Sequence, residues 1–180
     1  MKRFLLIAAI AAPLLWSSCS GNKQEVQEDV VPKGMKALDL THLGLPLKIN
    51  VPDSNFYPVI DTMETPTGIE IKIGNHFDII VNHAGPDEGD LAKMKPVIEA
   101  GDELPKNFTA NDSTLLRWEV SITDPPMAHF YQVIHINGET YFVRDNVNNT
   151  DNAFKKEEID RMVESAKSLR AKPAAAKPEA

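Results

Sequence analysis

The stretch TGIEIKIGNHFDIIVNHA, residues 67–84, decides the fold class of this chain. Ile69, Ile71 and Ile73 alternate with Glu70 and Lys72, the period of a strand with one buried face. Two loop lengths are open after Ile73. A two-residue loop sets Ile71 against Asp78 and puts a carboxylate on the apolar face. A three-residue loop, Gly74-Asn75-His76, pairs Ile73 with Phe77, Ile71 with Ile79 and Ile69 with Val81, and sets Lys72 across from Asp78. Register follows the buried face, so the three-residue loop is expected.

A second hairpin follows the same logic. In FYQVIHINGETYFV, Asn137-Gly138 supplies the two positive-φ residues of a type I′ turn. Pairing outward from it gives one face with Phe130, Gln132, Ile134, Ile136, Tyr141 and Val143. The other carries His129, Tyr131, Val133, His135, Thr140, Phe142 and Arg144. Upstream, TLLRWEVSIT alternates Leu116, Trp118, Val120 and Ile122 with Arg117, Glu119 and Ser121, and ends at Asp124-Pro125-Pro126, which cannot continue a ladder. LPLKINV, residues 45–51, is a further alternating strand.

Two helices are expected. Residues 90–100 make a short one, marked by Pro96 and ended by Gly101. Residues 154–170 make a stronger one, in which Ile159, Met162, Val163, Ala166 and Leu169 form an apolar stripe and residues 150–152 can cap the start. Strands in hairpin runs, not alternating with helices, predict an α+β fold: an antiparallel sheet with the short middle helix and the C-terminal amphipathic helix packed on it. The order of elements over residues 45–170 resembles the PsbP-like fold. That resemblance rests on order alone and implies no residue role.

The chain begins MKRF, with two cations ahead of an apolar run at residues 4–16. That run is short of the ~20 residues a helix needs to cross a bilayer, and it reads as a secretory signal. Small residues, Ser17-Ser18, lead into Cys19, the one cysteine of the chain. The segment resembles the lipobox of bacterial lipoproteins, with Trp16 where Leu is usual and Leu15 one place further out. The resemblance implies cleavage before Cys19 and lipid on its sulfur. A thiolate is the nucleophile such a transfer needs, and stable anchoring takes more than one acyl chain. In that family an Asp just after the cysteine retains the protein in the inner membrane. Ser20 stands there, which favours the outer membrane and leaves the leaflet open.

The expected organisation is then a signal at 1–18, a flexible tether at 19–35, one α+β domain at 36–170 and a disordered Pro/Ala/Lys tail at 171–180. Without Cys19 the domain has no thiol for a disulfide, a thiolate metal site or a cysteine nucleophile. The net charge is −7 and no basic cluster is present, so nucleic acid is not an expected partner.

Chemistry is weakly marked. His129 and His135 point to one face of a strand, but ~20 Å of strand separates them, so one ion cannot bridge them. No metal site and no cofactor are expected. DNVNNTDNAFKKEE, from Asp145, fails the EF-hand spacing: counting from Asn146 the sixth place holds Asp151 where Gly is required, and counting from Asp145 puts Lys156 at the last ligand. The acidic loop GPDEGD, residues 85–90, reads as solvated. No nucleophile elbow, Walker loop or dinucleotide fingerprint occurs.

One face stands out. His129, Tyr131, His135 and Arg144 share the more polar side of the second hairpin and form either a binding face or a sheet face covered by loops. Asp61-Thr62-Met63 and Asp112-Ser113-Thr114 resemble the short O-glycosylation acceptor of some Gram-negative bacteria, with Thr62 and Ser113 as acceptors. The expectation is a lipid-anchored envelope protein, non-catalytic, that binds an envelope partner or supports an assembly. The alternative is a periplasmic hydrolase with an unmarked carboxylate or histidine site.

Overall fold

The computed structural model describes residues 31–53, 59–63, 68–101, 104–121, 124, 126–146 and 153–172, with only the backbone described at 59–63. Ten strands and two α-helices fall among them. In chain order they are β1 (Met35–Asp39), β2 (Leu47–Pro52), β3 (Val59–Met63), β4 (Gly68–Lys72), β5 (Asp78–His83), α1 (Leu91–Ala100), β6 (Lys106–Asn111), β7 (Leu115–Val120), β8 (Met127–Ile136), β9 (Glu139–Asp145), α2 (Lys156–Lys167) and β10 (Arg170–Ala171). A 3-10 turn, Thr41–Leu43, joins β1 to β2. The fold is α+β, and all its strand pairs are antiparallel.

The larger sheet has seven strands in the order β3-β4-β5-β9-β8-β7-β6. Its two expected hairpins have the expected registers. Across β4–β5, Ile71 faces Ile79, Ile69 faces Val81 and Lys72 faces Asp78, and the Ile73 amide donates to the Phe77 carbonyl at 2.8 Å. Across β8–β9, Ile134 faces Tyr141 and His135 faces Thr140. The turn between them has φ of 54° at Asn137 and 86° at Gly138, which a type I′ turn requires. β5 lies between β4 and β9 and is buried on both faces, which explains why its apolar run Ile79-Ile80-Val81 is continuous and not alternating.

Each face of this sheet carries its own apolar cluster. On one, Ile71, Ile79, Phe130 and Val143 pack with Ile159, Met162, Val163 and Ala166 of α2 and with Leu47, Ile49 and Val51 of β2. On the other, Leu116, Trp118, Tyr131, Val133 and Phe142 pack with Leu91 of α1 and Ala84. α1 is capped by Asp90, whose carboxylate accepts from the Ala92 amide at 3.0 Å.

The structure corrects several boundaries. α2 starts at Lys156, not 154, and ends at Lys167, not 170. The cap expected at 150–152 lies outside the described residues; at the helix start the Glu158 carboxylate reaches back to the Lys155 amide at 2.8 Å. Leu169 is buried as its place on the apolar stripe requires, and Phe154 is buried too, but both flank the helix as non-helical chain. Beyond it Arg170 and Ala171 pair with Lys48 and Leu47, and the Lys172 amide donates to Pro46 at 2.9 Å. Ala171, the first residue of the segment expected as a disordered tail, therefore joins Arg170 in the third strand of a small sheet, β1-β2-β10, and residues 173–180 lie outside the described residues. Short two-residue strands leave no periodicity to read, because their pairing is decided by the neighbour.

Candidate functional site

The β8–β9 hairpin presents His129, Tyr131, Val133 and His135 beside Thr140, Phe142 and Arg144, as the alternation requires. The middle of that face is covered. Tyr131 is 3% exposed, stacks on Phe142 at 4.9 Å between centroids, and donates its hydroxyl to the Glu88 carbonyl at 3.0 Å. Burial, with the Glu88 carboxylate adding to it, pushes the Tyr131 phenol far above its ordinary range, and Arg144 offsets only part. Of the two readings of this face, Tyr131 fits the covered one: α1 and the 84–90 loop turn this part of the face into a second core.

The remaining three residues do not converge. His135 is exposed near the turn, with Nδ1 3.0 Å from the Thr140 hydroxyl. Arg144 is half-buried at the other end and donates to the Asp145 carbonyl at 3.2 Å. Tyr131, the ladder partner of Arg144, lies four residues from His135, which is about 13 Å of strand. His129 stacks on Trp118 at 5.4 Å and sets its Nδ1 2.8 Å from an oxygen of Asp145.

That histidine–aspartate pair is the feature sequence reading missed. Asp145 is 0% exposed. One of its oxygens meets His129 and the other accepts from the Phe130 amide at 2.8 Å, in place of the strand carbonyl that the ladder no longer supplies. The signal was present in the period: Tyr141 and Val143 face the main cluster, and the next position inward is Asp145. A carboxylate at such a position calls for a partner.

Two further histidines meet carboxylates from distant elements. His76, in the β4–β5 turn, lies 2.6 Å from Glu158 of α2, and His83 lies 2.7 Å from Glu139. The first of these fastens the hairpin tip to the helix start. The carboxylates of residues 85–90 are used locally: Glu88 accepts from the Gly85 amide, Asp87 holds Lys93, and Asp90 caps α1. Among the described residues no group of three or more histidines and acids is placed to hold a metal ion.

Two recesses lie among the described residues. One, about 190 Å³, lies among Ala110, Arg117, Trp118, Glu119, Ala128, His129 and Lys156, so His129 of the candidate face borders it. Arg117 is tied to Asp160 of α2 at 2.6 Å. The other, about 360 Å³, lies among Pro52, Ile73, Phe77, His76 and Arg161. Pockets for small molecules run from roughly 300 to 1,000 Å³, so the first is below that range and the second is at its lower end.

The two acceptor positions differ. Ser113 sits at the exposed corner between β6 and β7, where the Asp112 carboxylate accepts from the Thr114 and Leu115 amides at 2.8 Å each. Thr62 lies within the edge strand β3, opposite Ile69. Cys19 lies outside the described residues. No protein-family model and no curated protein matches this sequence.

Proposed function

We propose that this is a lipid-anchored component of a Gram-negative envelope, held in the outer membrane through Cys19, whose domain binds an envelope partner or supports an assembly without catalysing a reaction. The observation that carries this reading is the order of the first residues: Lys2-Arg3, the apolar run to Trp16, then Ser17-Ser18-Cys19. A polar segment then leads to the first strand at Met35. Shallow recesses and carboxylates engaged in caps and ion pairs support a binding role over chemistry.

Fractionation tests the anchor. Wild-type protein partitions with membranes and Cys19→Ser does not; equal partitioning overturns the reading. Crosslinking in intact cells then asks for the partner, with His135→Ala and Arg144→Ala as surface variants. Because these two residues stand apart on the hairpin, loss of a partner with one variant alone locates the contact to one end.

The hydrolase alternative has one observation in its favour. Asp145 orients His129 in the way an acid orients a catalytic base. Its other oxygen is committed to the Phe130 amide, however, and that bond closes the end of the ladder, a structural duty that needs no substrate. Ser113 is the better glycan acceptor of the two, since its turn presents the hydroxyl to solvent. A glycan-sized mass lost in Ser113→Ala and kept in Thr62→Ala is the expected result.

A further inference from the structure

The larger recess lies between the end of β2, the β4–β5 turn and the second turn of α2. Pro52, Ile73 and Phe77 supply its apolar wall. Ile73 and Phe77 belong to the main core and show only an edge, so the wall is held rigidly. His76 and Arg161 border it. His76 spends its Nδ1 on Glu158 at 2.6 Å. Arg161 is different. Glu157 lies four residues before it and Glu164 three after, the spacing of helix ion pairs, yet Arg161 pairs with neither. It is exposed, and among the described residues it has no carboxylate partner.

One unpaired guanidinium beside an apolar wall sets the chemistry of an occupant. Arginine offers two parallel N–H donors, which match the two oxygens of a carboxylate. A phosphate monoester carries about two charges. Here it would meet a single unpaired cation, with the Glu158 carboxylate close behind His76. A monoanion fits better. The volume, about 360 Å³, is at the lower end for small-molecule sites, and suits a ring or a short branched chain over a long acyl tail.

We propose that this recess binds a small apolar carboxylate, with its ring or branched body against Pro52, Ile73 and Phe77 and its acid on Arg161. The bound acid ties the β4–β5 turn to α2, at the place where His76 already meets Glu158. This ligand role stands on the domain alone and does not need the lipid anchor.

Phenylacetate is the probe, titrated into the isotope-labelled full chain in detergent and followed by backbone amide shifts. With roughly ten non-hydrogen atoms it should bind with a Kd on the order of 1 mM. Amides of residues 73–77 and of α2 around Arg161 are expected to move together. Arg161→Gln weakens binding about tenfold, as loss of a charge-assisted pair does. Phenylethanol, which keeps the ring and lacks the charge, and acetate, which keeps the charge and lacks the ring, each bind at least that much more weakly. Lys156→Gln removes an exposed cation from the start of the same helix and leaves binding unchanged. Since Arg161 is exposed, its variant keeps the wild-type melt. Shifts centred elsewhere, no shifts at tenfold the expected Kd, acetate or phenylethanol binding as well as phenylacetate, an indifferent Arg161→Gln, or an equal loss with Lys156→Gln would overturn the proposal.

Discussion

Asp145 is a carboxylate without access to water, and both its oxygens are bonded, one to the Phe130 amide and one to His129. Removing it strands a buried amide and a partly buried imidazole at once. Asp145→Ala is expected to cost about 3 kcal/mol or more in urea denaturation, from two unsatisfied partners at roughly 1–3 kcal/mol each. Asp145→Asn keeps an acceptor for the Phe130 amide and is expected to cost less than half as much. If the two variants were equally destabilised, the pair with His129 would carry the whole effect. Gly68 makes a second argument at this scale. A Cβ there would lie 2.0 Å from the Asn82 side-chain oxygen, across the β4–β5 ladder. Gly68→Ala therefore forces Asn82 out of its buried place, at about 1–3 kcal/mol. The double variant with Asn82→Gly is expected to recover part of that loss, which a non-additive pair of melts would display.

Among the elements, the two hairpins were legible because strand period and turn chemistry agree: glycine at 74 and Asn-Gly at 137–138 fix the registers that the isoleucines and tyrosines need. Which face of the second hairpin meets water was not legible. Tyr131, Val133 and Phe142 alternate with histidines and Arg144, and only the placement of α1 decides that the face is covered. That placement is tertiary, set by Leu91, Met94 and Ile98 against β7 and β8, and no local pattern announces it. The covered tyrosine has a measurable consequence. Burial raises the phenol pKa of Tyr131, and of Tyr141 to a lesser degree, above the unfolded value near 10. A raised pKa means that the fold binds this proton more tightly than the unfolded chain does. Stability is then fully present below about pH 10 and is lost as pH climbs from there toward the folded value. Tyr131→Phe is expected to be less stable at pH 7 by about 1 kcal/mol, for the lost bond to Glu88. Its stability should also fall less steeply above pH 10, which melts at several pH values would show.

For the whole molecule, the small sheet decides where the domain ends. β2 is clasped on one side by β1 and on the other by β10, so the chain's entry and its last described residues share one strand. The tie is reinforced at both levels: Arg170 donates to Asn50 at 3.1 Å, and the Lys172 ammonium meets Asp39 at 2.7 Å. With Lys172 first and Thr41 second, these partners hold the Asp39 carboxyl well below the usual carboxylate range. Asp39 is at the surface, so solvent screens this contact and its energy is small. What it contributes is present above about pH 4 and fades only as pH falls through that depressed value. Composition alone assigned residues 171–180 to a tail, because Ala, Pro and Lys carry no period; pairing with Lys48 and Leu47 is a property of β2, which lies far upstream. Truncation separates the two readings. A chain ending at Lys172 should melt within about 0.5 kcal/mol of the full chain, as removal of a terminal Pro/Ala/Lys segment without apolar period should. A chain ending at Leu169 loses the β10 ladder, the Pro46 bond and both side-chain ties, and exposes the edge of β2 over Leu47 and Ile49. It should lose about 2 kcal/mol, the sum of a few ordinary hydrogen bonds. Equal stability of the two truncations would mean that β10 is an ornament of the fold and that the domain ends by Leu169.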